Sequence, residues 1–291
     1  MNPLLIAILF VGMTNASAVC NNWKGRAVGN LDLRRISEAS GLTSSKTRPG
    51  NFFWINDSGN SAEIHATLEN GTAVKTVALN GFSNSDFEAM ASGPCPGSAA
   101  ETCIYVGDIG DGIGWRSTFK IGVFSEADFW NSSKISPQAN LSFSYPDGGH
   151  NAEAMIVTAK GEIIIFTKED DGTTEIYSMD LAGKMKKLGE LDLNRIVPDD
   201  REGNAPKVTD AALSPDGSSV LLLTYTDIIS IPLQKIISTR VSREDMVTIK
   251  GPNFSQQETL TYTGASERFV VATESEDGTA AGIHAYECAI R

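Results

Sequence analysis

Glu153-Ala-Met-Ile156, Ile163-Ile-Ile-Phe166, Thr167-Lys168 and Glu175-Ile-Tyr-Ser178 follow one another within a short stretch, and this succession decides the fold. An acidic residue opens a run of small and apolar residues. An unbroken β-branched run comes next, ends in polar residues, and is followed by a third run. Short runs of Ile, Val and aromatic residues bounded by Gly, Asn, Asp or Ser read as strands. The same order recurs in four other places. The openings there are Glu38-Ala-Ser-Gly-Leu42, Glu88-Ala-Met-Ala91, Asp210-Ala-Ala-Leu213 and Glu258-Thr-Leu-Thr261. The second runs are Phe52-Phe-Trp-Ile55, Cys103-Ile-Tyr-Val106, Val220-Leu-Leu-Leu223 and Phe269-Val-Val-Ala272, with polar ends at Asn56-Asp57, Asp108, Tyr225 and Glu274.

The openings lie roughly 50–65 residues apart, the interval of propeller blades with loop insertions. A fourth strand is legible in four units, around Val74–Leu79, Ala139–Tyr145, Lys184–Leu191 and Asp245–Lys250, but the last unit ends without one. Arg26–Leu33 near the N-terminus can supply it, so that both ends of the chain build one blade. The expected fold is an all-β, five-bladed β-propeller occupying 19–291 as a single domain. A six-bladed ring is the alternative, because the long interval from Glu88 to Glu153 has room for another hairpin.

Upstream, Leu4 to Met13 form an apolar run followed by Ala16-Ser17-Ala18. A short apolar segment ending in a small-x-small site is the layout of a secretory signal peptide, here 1–18. It is too short for a bilayer, which needs about 20 apolar residues. The expected destination is periplasmic or extracellular. Four cysteines fit an exported chain with disulfides. Sequence alone allows three pairings. The ring architecture selects Cys20 with Cys288, where the chain ends meet, and Cys95 with Cys103, across a hairpin turn. The net charge of −12 argues against nucleic acid and anionic membranes and is compatible with metal cations.

In a propeller the start of each first strand and the end of each second strand share one face. Glu88, Glu153, Asp210 and Glu258, with Glu38 or Ser40 in the first blade, therefore ring the channel mouth. Asn56-Asp57, Asp108, Lys168-Glu169, Tyr225 and Glu274 form the next circle. Carboxylates so crowded repel one another, and a hard divalent cation such as Ca²⁺, which takes 6–8 oxygen ligands, relieves them. A structural alternative accompanies this reading. In Asp210-Ala-Ala-Leu-Ser-Pro-Asp-Gly217 the first Asp can serve only to satisfy backbone donors. The Asp108–Gly112 and Glu169–Gly172 segments read as turns rather than calcium loops. His150 lies on the channel side, either as an acid/base group or as an ordinary surface histidine. His65 and His284 belong to third strands.

Glu38-Ala-Ser-Gly-Leu42, Asn56-Asp-Ser-Gly-Asn60, Asp86-Phe-Glu-Ala-Met-Ala91, Tyr105-Val-Gly-Asp-Ile-Gly-Asp111 and Tyr145-Pro-Asp-Gly-Gly-His-Asn-Ala-Glu-Ala154 resemble exported bacterial propellers of unassigned function. More distantly, the chain resembles the calcium-activated nucleotidases (apyrases). That likeness implies a central Ca²⁺ held at inner-strand starts, with Ser40, Glu88, Glu153 and Glu258 at the matching positions and Asp210 where that family tends to have Ser. The family's cationic and aromatic nucleotide-binding residues have no counterpart here. Three functions follow as expectations. The first is a calcium-binding propeller that presents its loop face to a small molecule or an extracellular protein, as a monomer. The second is a calcium-dependent phosphohydrolase of nucleotidase or phytase type, for which Lys168 and Arg116 would meet the anion. The third is a five-bladed glycoside hydrolase with paired carboxylates and Trp54, Trp115, Trp130 or Tyr225 as sugar platforms, although Trp54, inside a second run, reads rather as core.

Overall fold

The structure, a computed structural model, describes residues 20–197, 203–252, 254–275 and 280–289. The expected signal peptide, 1–18, lies outside them. After an opening strand β1 (Trp23–Asn30), blade one is formed by β2 (Ala39–Ser44), β3 (Asn51–Asn56), β4 (Glu63–Leu68) and β5 (Ala73–Leu79). Blade two contains β6 (Phe87–Cys95), β7 (Ser98–Asp108) and β8 (Phe119–Ser125). A short helix α1 (Glu126–Asn131) and β9 (Lys134–Ile135) follow, and β10 (Ala139–Phe143) completes the blade. Blade three is β11 (Ala152–Val157), β12 (Ile163–Thr167), β13 (Thr173–Met179) and β14 (Met185–Asp192). Blade four is β15 (Val208–Leu213), β16 (Ser219–Thr224), β17 (Asp227–Pro232) and, after helix α2 (Leu233–Ile237), β18 (Val247–Lys250). Blade five is β19 (Gln257–Tyr262), β20 (Arg268–Thr273) and β21 (Gly282–Cys288). Its outer strand is β1, antiparallel to β21 with Trp23 opposite Cys288.

The second strand of each blade explains why its sequence is apolar without alternation. Side chains alternate between the two faces of a strand, and here both faces are covered by neighbouring blades. In β12, Ile163 and Ile165 pack toward blade two, while Ile164 and Phe166 pack toward blade four. In β16, Val220 and Leu222 face blade three, and Leu221 and Leu223 face blade five. In β20, Val270 and Ala272 meet Phe52 and Trp54 of blade one, which closes the ring. The remaining interface, between blades one and two, holds Phe53, Ile55, Ile104 and Val106. Each junction between adjacent blades therefore has its own core, and the protein is a five-bladed propeller.

The long interval after Glu88 holds no sixth blade. Its extra residues form α1 and β9, and β9 adds in parallel to the edge of blade one. The buried Glu126 of α1 accepts hydrogen bonds from the amides of Lys46 (3.2 Å) and Thr47 (3.1 Å), bolting the insertion to blade one. The closing strand starts earlier than the sequence suggests. Leu31 leaves the strand to donate its amide to Ala281 O (2.9 Å) and to pack in the junction with blade one. Close passage of the turn at Asn70–Gly71 selects glycine in that strand, since a Cβ on Gly29 would lie 2.1 Å from Asn70 O. Both expected disulfides are present, Cys20–Cys288 with Cα atoms 6.0 Å apart and Cys95–Cys103 with 4.9 Å. Bonds of this kind are consistent with an extracellular or periplasmic protein. Among the described residues no helix is long and apolar enough to cross a membrane.

Candidate functional site

Every innermost strand carries a β-bulge at the same place. The register breaks between Ala39 and Gly41, Phe87 and Ala89, Ala152 and Ala154, Val208 and Asp210, and Gln257 and Thr259. The extra residues are Ser40, Glu88, Glu153, Thr209 and Glu258. A bulge re-aims the side chain it carries, and bulges gather beside functional sites. The residue before each bulge pairs with the last residue of the second strand, as in Ala152 with Thr167 and Gln257 with Thr273. The residues that follow, among them Asp57, Lys168, Tyr225 and Glu274, therefore sit over the ring of bulges. Sheet register thus builds two concentric circles on one face.

Contacts knit these circles together. Ser40 Oγ donates to Glu88 Oε2 across two blades (2.5 Å). The Lys168 ammonium spans both oxygens of Glu153, at 2.6 and 2.5 Å, and stands 5.0 Å from the Tyr225 ring. Asp57, Asp86 and Glu88 bring carboxylate oxygens within 4.8 Å of one another. Glu38 joins the rim, its backbone carbonyl accepting from the Asp57 amide (2.9 Å) and its carboxylate from Asn60.

Burial and mutual repulsion leave their mark on these acids. Burial pushes the Glu88 carboxyl well above the usual carboxylate range, and Glu153 and Asp57 push it further. Burial raises Asp57, with help from Glu38, and Asp86, with help from Asp57. Glu258 is raised by burial to about 8 and Glu274 by burial to about 7, with Glu153 adding to both. Burial alone would lower Lys168, but Glu153 and Glu258 override it and hold the ammonium well above the ordinary lysine value. The field of Lys168 in turn lowers Asp57, Glu88, Glu153, Glu258 and Glu274. A single ammonium thus acts on five acids of the mouth.

Asp210 is placed differently from the other acids read from the repeat. It follows the bulge instead of occupying it, and Thr209 takes the ring position. Its fully buried carboxylate accepts from the amides of Ala211 and Leu260, each at 2.7 Å. This is the backbone-satisfying role. Thr209 Oγ1 donates to Gln257 O (2.6 Å) and was not singled out by the repeat. Asp86 was also missed, since it lies ahead of the repeated pattern.

Asp108 does not line the mouth. It is buried, pairs with Arg116 (2.8 Å) and Lys120 (3.0 Å), and accepts from the amide of Asp86 (3.0 Å). Arg116 also donates to Gly110 O (2.5 Å), so its guanidinium is committed to the scaffold. Asp111 accepts from the amides of Trp115 (2.9 Å) and Arg116 (3.0 Å), which makes Asp108–Gly112 part of a turn. Trp54 is core, with its indole N–H on Thr67 (2.8 Å), and Trp130 packs on Phe53 and Phe129. Trp115 is exposed at 85%. His65 is structural, its Nδ1 3.0 Å from Thr76 Oγ1, and burial lowers it to about 4. His150 lies between Asp147, Glu169 and Glu175.

No family model matches the chain, and no curated protein matches it. The likeness to nucleotidases therefore rests on the quoted residues alone. Solved structures similar to the chain include hydrazine synthase of Kuenenia stuttgartiensis, with 13% identity over 86% of this chain and a TM-score of 0.42. The chain spans 62% of that protein. Regucalcin of Agrobacterium tumefaciens, a calcium-binding protein, matches with 16% identity over 86% of this chain and 71% of its own, at a TM-score of 0.42. The PQQ-bound aldose sugar dehydrogenase of Streptomyces coelicolor matches with 11% identity over 92% of this chain and 99% of its own, at 0.47.

Proposed function

We propose that the protein is an exported calcium-binding propeller whose acidic mouth holds Ca²⁺ and presents the loop face to a small molecule or an extracellular partner. The observation that carries this reading is the set of in-phase bulges. It turns Ser40, Glu88, Glu153 and Glu258 to one opening, where, among the described residues, the mouth carboxylates within 4.8 Å of one another are those of Asp57, Asp86 and Glu88, so that Glu153 and Glu258 must move in to share an ion with them. The available donors are hydroxyl and carboxylate oxygens, the chemistry a hard cation selects. Ser40, Glu88, Glu153 and Glu258 are the proposed ligands, with the Thr209 hydroxyl at the fifth ring position. Asp210 supports the ring from behind. Bound Ca²⁺ would supply the positive charge that the raised acids lack.

The charge balance favours a cation over a polyanion. Arg116 is held by Asp108, and Lys168 is held by Glu153. Lys168 has to leave Glu153 in either reading, and with Arg116 committed to Asp108 a phosphohydrolase would have Lys168 alone to meet the anion, so that reading stands second.

Calorimetric titration of the metal-stripped protein with Ca²⁺ tests the proposal. Saturable binding is expected, and Glu153→Gln should weaken it about tenfold or more, by analogy with the effect of altering a metal site's supporting residues. Titration heats that are non-saturable, or unchanged by this substitution, would remove the central site. Turnover of nucleotides or glycosides in the Ca²⁺-loaded protein would select an enzyme over a binding module.

A further inference from the structure

Away from the axis, on the mouth side of the junction between blades two and three, lies a second constellation of different chemistry. His150 Nδ1 is 3.2 Å from Glu169 Oε1. A proton donated there leaves the Nε2 lone pair facing Asp147 Oδ1 at 3.4 Å and Glu175 Oε2 at 3.5 Å. Histidine ligands in metal sites characteristically give their other N–H to a carboxylate in this way, which fixes the tautomer. Ligands about 2.0–2.2 Å from a tetrahedral ion are separated by roughly 3.3–3.6 Å, matching both separations. The Tyr177 hydroxyl completes the group, 2.9 Å from His150 Nε2 and 2.9 Å from Asp147 Oδ1.

The scaffold holds these residues in place. Glu175 and Tyr177 alternate onto one face of β13, and Lys187 stands opposite Tyr177 on β14. Lys187 reaches Asp147 (2.8 Å) and Glu175 (2.7 Å) and serves as their counter-ion. Asp147 and His150 come from a segment that packs tightly on the Asp111–Arg116 turn. A Cβ on Gly149 there would lie 2.4 Å from Arg116 O.

Lys187 donates to both carboxylates, which leaves the Tyr177 hydroxyl within reach of His150 Nε2. A separate observation is the Tyr145 hydroxyl, buried and without a partner among the described residues. Its ring stands edge-on to His150 (5.0 Å) and Tyr177 (4.7 Å), and its hydroxyl lies in the field of Glu169. A buried phenol without a protein partner thus stands beside a partly buried imidazole–carboxylate group, where a ligand or its bound water would satisfy it.

The geometry points to a second cation site, formed by Asp147, His150 and Glu175 with Tyr177, that takes a divalent first-row transition ion of the zinc or cobalt type. The imidazole nitrogen sets it apart from the all-oxygen mouth, since nitrogen donors favour such ions over Ca²⁺. This site does not depend on the calcium reading of the mouth. Lys187 is displaced when the ion enters.

Cobalt is the probe, because its visible absorption reports coordination. The metal-stripped, untagged full chain should take up one equivalent of Co²⁺, displaceable by Zn²⁺ and indifferent to excess Ca²⁺. His150→Ala should abolish the absorption, Glu175→Gln should weaken uptake about tenfold, and Lys187→Met should tighten it. Glu153→Gln should leave it unchanged, while circular dichroism verifies that each variant is folded. Three results overturn the proposal: no uptake in either the natural chain or Lys187→Met, uptake that persists in His150→Ala, or uptake that excess Ca²⁺ or Glu88→Gln removes. The last would assign the cobalt to the mouth.

Discussion

Blades three and four each begin on a buried carboxylate, and the two are used in opposite ways. Glu153 occupies the bulge of β11 and faces the ammonium of Lys168 at 2.5 Å. Asp210 sits one residue past the bulge of β15 and spends its oxygens on two backbone amides at 2.7 Å. Side chains on a strand alternate, so a shift of one residue turns a group from the opening into the wall. Acidity and position in the repeat are the same in both blades. Phase relative to the bulge decides which carboxylate is available to a ligand.

The largest expected effect breaks blade four's side of this contrast. In Asp210→Ala two buried amides lose their acceptor, which should cost about 3 kcal/mol of stability, read from the urea midpoint. The folded fraction should bind Ca²⁺ as before. Asp210→Asn, which keeps one acceptor oxygen, should lose less. If Asp210→Asn weakens Ca²⁺ binding while stability holds, Asp210 is a ligand and the assignment of the ring must move to it. Glu153→Gln should do the reverse of Asp210→Ala, because the mouth has more acids than cations and loses affinity before it loses stability.

This contrast also marks how far the sequence is legible. The five units could be read because a strand covered on both faces must be apolar throughout, as Ile163–Phe166 and Val220–Leu223 are. The pairing of Cys20 with Cys288 followed from closing the ring. The bulges could not be read, because nothing in the composition of Val208-Thr-Asp210 says which residue is extra. Alignment on the acid placed Asp210 with Glu153. The sheet register instead sets Ala211 with Met90, Met155 and Leu260 and so puts Thr209 in the ring, which the run Ala211-Ala-Leu213 does not announce. Asp86 and the inward turn of Asp108 depend on loop packing between distant segments, where local pattern is silent.

A smaller effect sharpens the comparison through pH. The folded, metal-free mouth binds protons more tightly than the unfolded chain, with Glu274 raised from 4.5 to about 7 and Glu258 from 4.5 to about 8. That contribution to stability is fully present below about pH 4.5 and is lost as the pH rises through 7 and 8. Thermal melts of the stripped protein should therefore fall across this window, and Ca²⁺ should flatten the fall. Calcium affinity should rise over the same range by about tenfold per pH unit for each proton displaced. Asp210→Asn should keep this pH dependence of affinity and Glu258→Gln should reduce it. A stripped protein with equal melts at pH 5 and 8 would mean that the acids of the mouth are already compensated.

The smallest effect comes from giving blade four what blade three has. Thr209→Glu puts a carboxylate at the one neutral ring position outside blade one, at the loss of the hydrogen bond to Gln257 O. In the stripped protein at pH 8 it adds an uncompensated charge to a crowded mouth and removes a bond worth about 1 kcal/mol, so the melt should drop. With Ca²⁺ present the new oxygen ligand should recover that loss and tighten binding a few-fold, as ligand charge count does in oxygen-donor sites. Adding a carboxylate one residue away should not have this result, since Asp210 already shows where such a group goes. If Thr209→Glu lowers stability equally with and without Ca²⁺, residue 209 does not face the ion, and the bulge of β15 shapes the strand without serving the site.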